Sequence, residues 1–467
     1  MQSKKLGGRT WWNIILFSLV GQLAWNVENM YFNTFLYNEV YTGASQAAVD
    51  GTIPAMRAIS TMVALSAATA VITTFLMGTL SDRLNKRKVF ISVGYILWGV
   101  VTAAMGFISR EHTAALFHLS DEVKILSVTV WTVIIMDCVM TFMGSTSNDS
   151  VFNAWVTDIT NPENRQRVET VLAALPVAAM GVVVGIGSFA QAGKIGYDVF
   201  FCCLGAFAVL SGVIGLFTLQ ETKHRPDANG ANYWADLFYG FRPSVIKENN
   251  RLYLALAALG FFSIAVQVFF PYLLLYIQHA ILPASEGIDL MSPGFLIPAV
   301  LSVLVLVGGI VLLLRLGGKN KGAALLIATG CFAVGLLALG FAKDLRTVVP
   351  AIAPTVIGYA VLMIIFNATV RDFTPESKAG QFQGVRMIFY VLLPMVIGPK
   401  LGELAALGSS VHYKDDYGVE QILPTSNMFL YAVAVAVLIL VPLVFLVKKG
   451  FGVAHSVASD DCRDNES

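Results

Sequence analysis

Four amides stand at helical spacing in a stretch of chain that is otherwise apolar. Gln22, Asn26, Asn29 and Asn33 fall at i, i+4, i+7 and i+11, which at ~100° per residue places them on one stripe of a helix. An amide both donates and accepts, so the stripe suits the hydroxyls of a polar solute. The alternative role is hydrogen-bonding glue between helices. Carboxylates supply a second chemistry. Glu28 lies off the amide stripe, and Arg57, at a facing depth, is its expected ion-pair partner. Asp137 begins another stripe with Thr141, Gly144 and Asn148, with Asp149 to one side. Because Asp137 has no basic residue within its own apolar run, it is the candidate to load and release a cation, with Glu28, Asp149 and Arg57 as companions. A third set pairs rings with amides: Gln267, Tyr272 and Tyr276 around Pro271, and Tyr359 with Asn367. Ring faces beside amides match the apolar face and polar rim of a saccharide.

The elements that must position these groups are membrane helices. Of the 467 residues 56% are hydrophobic and 13% charged, and the mean hydropathy is +0.70, which leaves too little polar surface to cover a soluble globule of this size. A crossing helix needs roughly 20 mostly apolar residues. Twelve stretches qualify: 12–36, 53–79, 89–109, 125–150, 168–190, 196–219, 252–278, 293–315, 322–342, 346–370, 383–407 and 426–447. A cytoplasmic N-terminus puts most of the 31 Lys and Arg on the inner side, as the distribution of basic residues across membranes requires. The net charge of +1 points to no nucleic-acid partner. Cys138, Cys202, Cys203 and Cys331 sit in apolar runs and read as packing thiols.

The chain is also duplicated. NAWVTDITNPENR at 153–165 returns as NATVRDFTPESK at 367–378; Asn153 and Asn367, and likewise Asp158 and Asp372, stand 214 residues apart. Both copies follow an even number of crossings, so the halves are parallel repeats of six helices, an architecture that places a substrate site between the repeats. Asn161 with Pro162 and Thr374 with Pro375 read as helix caps followed by first-turn prolines. Asp158 and Asp372 then fall at helix C-termini, where the dipole disfavours an anion. They require cations, and Arg165, Arg167, Arg371 and Lys378 are near in sequence. The expected organisation is a bundle over 1–219, a linker over 220–251 with a short amphipathic helix through Tyr233, Trp234, Leu237, Phe238 and Phe241, a second bundle over 252–447, and a tail over 448–467.

GTLSDRLNKRK at 78–88 resembles the loop signature of the major facilitator superfamily, G-x-x-x-D-R-x-G-R-R, through Gly78, Asp82, Arg83, Lys86 and Arg87, with Asn85 in place of a glycine. The resemblance implies an all-α membrane fold of twelve helices and a charge latch on the cytoplasmic side, formed by these residues with Asp158, Arg165, Asp372 and Lys378 of the repeated phrase. The corresponding second-half loop, RLGGKNKG at 315–322, has basic residues but no acid. Within the superfamily, GQLAWNVENMYFNTFLYNEVYTG and VRDFTPESKAGQFQG resemble the glycoside–pentoside–hexuronide:cation symporters and their sucrose-transporter relatives. Melibiose permeases of that branch carry an aspartate pair in the second helix. Here that helix has no acid within its span, so the resemblance implies proton rather than sodium coupling.

The reading is therefore secondary transport of a small polar solute, a sugar or glycoside, by alternating access with cation symport. The alternatives are a proton-coupled drug exporter of the same superfamily and a transport-dead membrane sensor; the amides favour a hydrophilic substrate. No His lies in an expected span, and HExxH, GxGD and the phosphate-loop pattern are missing from the sequence, which removes zinc proteolysis, intramembrane aspartyl proteolysis and ATP-driven pumping on motif grounds. No cofactor or metal is expected. The expected partners are a small-molecule substrate, H+ or Na+, and the bilayer of a cell membrane, with both termini cytoplasmic.

Overall fold

Apolar runs with strong local caps set the architecture. In the computed structural model, which describes residues 6–84, 86–160, 162–191, 194–221, 239–375, 379–409, 412–415, 417–448 and 451, twelve principal helices follow one another. They are α1 (8–41), α2 (Ala55–Leu84), α3 (Arg87–Met105), α4 (Glu122–Ile159), α5 (Pro162–Gln191), α6 (Tyr197–Thr218), α7 (Asn250–Ala284), α8 (Pro293–Lys319), α9 (Lys321–Phe341), α10 (Leu345–Phe373), α11 (379–409) and α12 (Asn427–Lys448). Ten of these are long and apolar enough to cross a membrane. Of the other two, α1 is diluted by its amides, and α5 shows among the described residues the apolar run Ala178–Phe189.

Caps fix several starts. Asp121 accepts from the Val123 N–H at the head of α4, and Asn320 from the Ala323 N–H at the head of α9. Asp344 and Thr347 form a reciprocal capping box on α10. The Thr347 hydroxyl and backbone N–H hold the Asp344 carboxyl below its usual range. Pro162 opens α5 as expected; Thr374 closes α10, its hydroxyl donating to the Val370 carbonyl, and residues 376–378, where it would cap a following helix, lie outside the described residues. A Thr hydroxyl reaches a carbonyl four residues back as readily as an N–H ahead.

Four helices contain π-helical segments: Glu28–Phe32 and Leu36–Tyr41 in α1, Ser145–Phe152 in α4, Ile277–Ile281 in α7 and Ile388–Leu392 in α11. Such widened turns re-aim side chains and concentrate at functional positions. Close packing relies on small residues: a Cβ on Gly99 of α3 would lie 2.3 Å from the Gly205 carbonyl of α6, so the two backbones meet directly.

Contacts divide the chain into two units. One holds Met1–Tyr233 with Phe270–Leu275 and Met395–Pro424; the other holds Trp234–Phe269, Tyr276–Pro394 and Thr425–Ser467. The first also contains a feature absent from an all-helix reading, a two-stranded antiparallel hairpin, β1 (His412–Lys414) with β2 (Glu420–Ile422), in the register Tyr413 to Gln421. Its turn is held by Asp415, which accepts from the backbone N–H groups of Tyr417, Val419 and Gly43, and Gly418 supplies the positive φ of 81°. Of the expected amphipathic linker helix, residues 222–238 lie outside the described residues. Phe241 ends a short 3-10 turn before the helix Pro243–Glu248.

Candidate functional site

In the first unit, the interior between α1, α2 and α4 is acidic. Glu28 opens the first π segment of α1 and is buried. Its Oε1 accepts from the Ser66 hydroxyl of α2 at 2.7 Å and from the Thr141 hydroxyl of α4 at 2.8 Å, and the two hydroxyls are 2.7 Å apart. Asp137 lies one turn before Thr141, is buried, and interacts electrostatically with Glu28. Glu28 Oε2 and Asp137 Oδ1 are buried with no hydrogen-bond partner among the described residues. Asp149, in the π segment of α4, accepts from Ser145 at 3.1 Å and interacts electrostatically with Glu28. No salt bridge to any of the three occurs among the described residues. Leaving buried carboxylate oxygens unpaired is costly, and protonation would reduce that cost.

The expected Glu28–Arg57 pair is not formed. Arg57 Nε lies 3.0 Å from Glu403 Oε1 of α11, whose carboxylate is fully buried and also receives Ser60 at 2.5 Å and Lys400 at 2.7 Å. Tyr272 closes this cluster by donating to the Pro399 carbonyl at 2.8 Å and to that of Met56 at 3.3 Å. The reason is depth: the α2 residue that reaches Glu28 is Ser66, nine residues beyond Arg57, or about 13 Å along the helix axis. Charges inside the eleventh span, Arg386, Lys400 and Glu403, were legible as anomalies in an apolar run, and the spacing of Lys400 and Glu403 marks them as neighbours on one helix face.

The amide stripe is tied to its own helix. Asn26, Asn29 and Asn33 each donate through Nδ2 to the carbonyl four residues earlier, at 2.8, 2.7 and 2.9 Å. Gln22, Asn26 and Asn29 are half-buried, and Asn33 is buried with its Oδ1 unpartnered among the described residues. Each back-bond uses one donor and fixes which way the amide oxygen faces. Asn148 is structural. It donates to the Tyr95 hydroxyl at 2.6 Å, which donates to the Phe17 carbonyl, and it lies where a Cβ on Gly21 would come within 2.3 Å.

At the basic loop, Arg87 is 3% exposed, and its Nε meets Asp158 Oδ2 at 3.2 Å while Nη1 donates to Ser81 at 2.6 Å. Gly78 leaves room for the Ser150 hydroxyl. Arg83 and Lys86 are exposed; the side chains of Asp82 and Arg165, and all of Lys378, lie outside the described residues.

In the second unit, Lys321 meets Asp372 at 2.6 Å. The two repeated acids are thus joined to the first residues of α3 and α9, more distant in sequence than the nearby cations expected for them. Each acid is the penultimate residue of its helical segment and each base opens a helix. Both charges sit where their own helix dipoles disfavour them, and each pair offsets that cost. Gln267 is half-buried, and Tyr276 is buried with its hydroxyl 3.4 Å from the Ala342 carbonyl. Tyr359 is 40% exposed beside Phe262. Arg386 Nη2 donates to Asn367 Oδ1 at 2.9 Å, with its guanidinium 5.9 Å from the Tyr390 ring.

Comparison with known proteins supplies the context. Residues 14–399 match the family described as the Major Facilitator Superfamily. No curated protein sequence matches the chain. Among solved structures, the nucleoside transporter NupG superposes with a TM-score of 0.60 at 11% identity, over 93% of this chain and 99% of that one. A bacterial homologue of the human lysosomal transporter Spinster, in an inward-facing and occupied conformation, gives 0.57 at 13% identity, over 96% and 98%. At such identities the likeness is one of fold.

Proposed function

The chain belongs to the Major Facilitator Superfamily, and from that premise we propose that it is a secondary transporter coupling a small polar solute, a sugar or glycoside, to symport of a proton. The fold and family make it a membrane transporter rather than an enzyme. The observation that carries the coupling is the Glu28 and Asp137 pair: two buried carboxyls with an unpartnered oxygen each, on α1 and α4, Glu28 reached by the Ser66 and Thr141 hydroxyls and neither by a cation among the described residues. A proton suits such a site because it neutralises a charge that burial penalises. Release follows when the site opens to water. Asp137 is the carrier. Glu28 is anchored by Ser66 and Thr141, and Asp149 stands nearby as an additional acid.

Substrate hydroxyls are read by the amides of α1, Gln22, Asn26, Asn29 and Asn33, together with Gln267 and the ring of Tyr359. The hydroxyls of Tyr272 and Tyr276 bond main-chain carbonyls, so these rings serve the site by shaping it. The Arg87–Asp158 and Lys321–Asp372 pairs belong to the cytoplasmic gate with Gly78, Asp82, Arg83, Lys86, Arg165 and Lys378, and the membrane is a cell membrane with both termini inside. Uptake of labelled sugars and glycosides into proteoliposomes, under an imposed pH gradient, an imposed sodium gradient or a protonophore, tests the reading. Accumulation should follow the pH gradient and collapse with the protonophore; accumulation that follows sodium alone overturns the proton.

A further inference from the structure

We infer that Glu28, Ser66 and Thr141 form a closed ring of three oxygens that holds a proton on the Glu28 carboxyl, with Ser66 and Thr141 as its positioning residues; the part this ring plays in a transport cycle rests on the proton reading above. Glu28 Oε1 lies 2.7 Å from Ser66 Oγ and 2.8 Å from Thr141 Oγ1, and the two hydroxyl oxygens are 2.7 Å apart. All three separations are of O–H···O length. Each hydroxyl brings one proton, and an ionised carboxylate brings none. With Glu28 ionised, two protons would serve three contacts, and one edge of the triangle would set lone pairs against lone pairs. A proton on Glu28 Oε1 supplies the third, so that every oxygen donates once and accepts once around the ring.

The surroundings agree with this count. All three side chains are buried, and neither hydroxyl has another partner among the described residues. Thr129, Thr132 and Thr146, on the same helix as Thr141, donate to the carbonyl four residues back, the common use of a helical hydroxyl. Thr141 is instead turned into the ring. The ionisable groups that reach Glu28 are Asp137, Cys138 and Asp149 of α4, which can add only negative charge, and no ion pair to Glu28 occurs among the described residues. A neutral Glu28 also lowers the cost of burying its unpartnered Oε2. Asp137 then loads and releases its proton beside an uncharged neighbour.

Difference infrared spectra of the protein in proteoliposomes at neutral pH, wild type minus variant, test this through the C=O stretch of protonated carboxyls. The wild type should show a component that Glu28→Gln removes and Asp137→Asn keeps. Ser66→Ala and Thr141→Val each take a bond from that carboxyl and should move the component upward in frequency. Ser66→Thr and Thr141→Ser, which keep the hydroxyl, should leave it near its wild-type position, a pattern that helix packing alone does not produce. These four variants also decide the matter if Glu28→Gln does not fold. The ring is overturned if no protonated-carboxyl component depends on Glu28, or if the component is unmoved by both hydroxyl losses. A Glu28 component in a protein whose accumulation follows sodium alone leaves the ring standing and removes proton symport. Uptake that follows the pH gradient without such a component removes the ring and leaves proton symport standing.

Discussion

The two repeats place different chemistry on the same frame. At the common offset of 214, Asp137, Ser145 and Asp149 of α4 correspond to Ala351, Tyr359 and Met363 of α10, whereas Asn153 and Asp158 correspond to Asn367 and Asp372 unchanged. The retained asparagine makes the same bond in both places, donating to the carbonyl four residues back at 2.9 Å in α4 and 2.8 Å in α10. The retained aspartate is paired in both places with the first residue of another helix. What differs is the interior-facing chemistry: acids in the first unit, rings and a thioether beside Arg386 in the second. Duplication preserved the groups that position helices and let the polar groups earlier on the same helices diverge.

The most severe way to break the contrast is to remove Asp137, an acid that the second repeat replaces with Ala351. Asp137→Asn should retain exchange of solute down its gradient and lose concentrative uptake by at least about tenfold, since an amide cannot cycle a proton. Vesicle uptake with and without a pH gradient checks this, and an Asp137→Asn protein that still concentrates solute removes the residue from the mechanism.

The two ion pairs should differ in a second, smaller way. Arg87 is buried, so Arg87→Ala removes a guanidinium that bonds both Asp158 and Ser81 and should cost about 2–4 kcal/mol of stability, near the range for breaking a buried pair. Thermal unfolding in detergent reads the loss. Next in size is the amide stripe: Asn29→Ala should weaken binding of a hydroxylated solute by about 1–3 kcal/mol, as expected for an unmet polar group. Intact binding in a poorly folding variant would instead assign the amides to helix packing.

The smallest effect belongs to the second repeat's pair. Lys321 and Asp372 are both substantially exposed, so Lys321→Ala should cost below about 1 kcal/mol. If Lys321→Ala proves as damaging as Arg87→Ala, the two ends of the repeat are more alike than their burial implies.

Sequence by itself determined the twelve helices, the duplication and the polar groups that must avoid lipid, because hydropathy and a 3.6-residue period act within a single segment. It also marked Glu28 and Asp137 as anomalous charges in apolar runs. Partnership was decided only by tertiary structure. Arg57 meets Glu403 rather than Glu28, Asp158 meets Arg87, Asp372 meets Lys321, and Asn367 turns its oxygen toward Arg386. Helical periodicity fixes which residues share a face of their own helix. It says nothing of which neighbouring helix faces them or at what depth, and a shift of nine residues, about 13 Å, was enough to exchange an arginine for a serine beside Glu28.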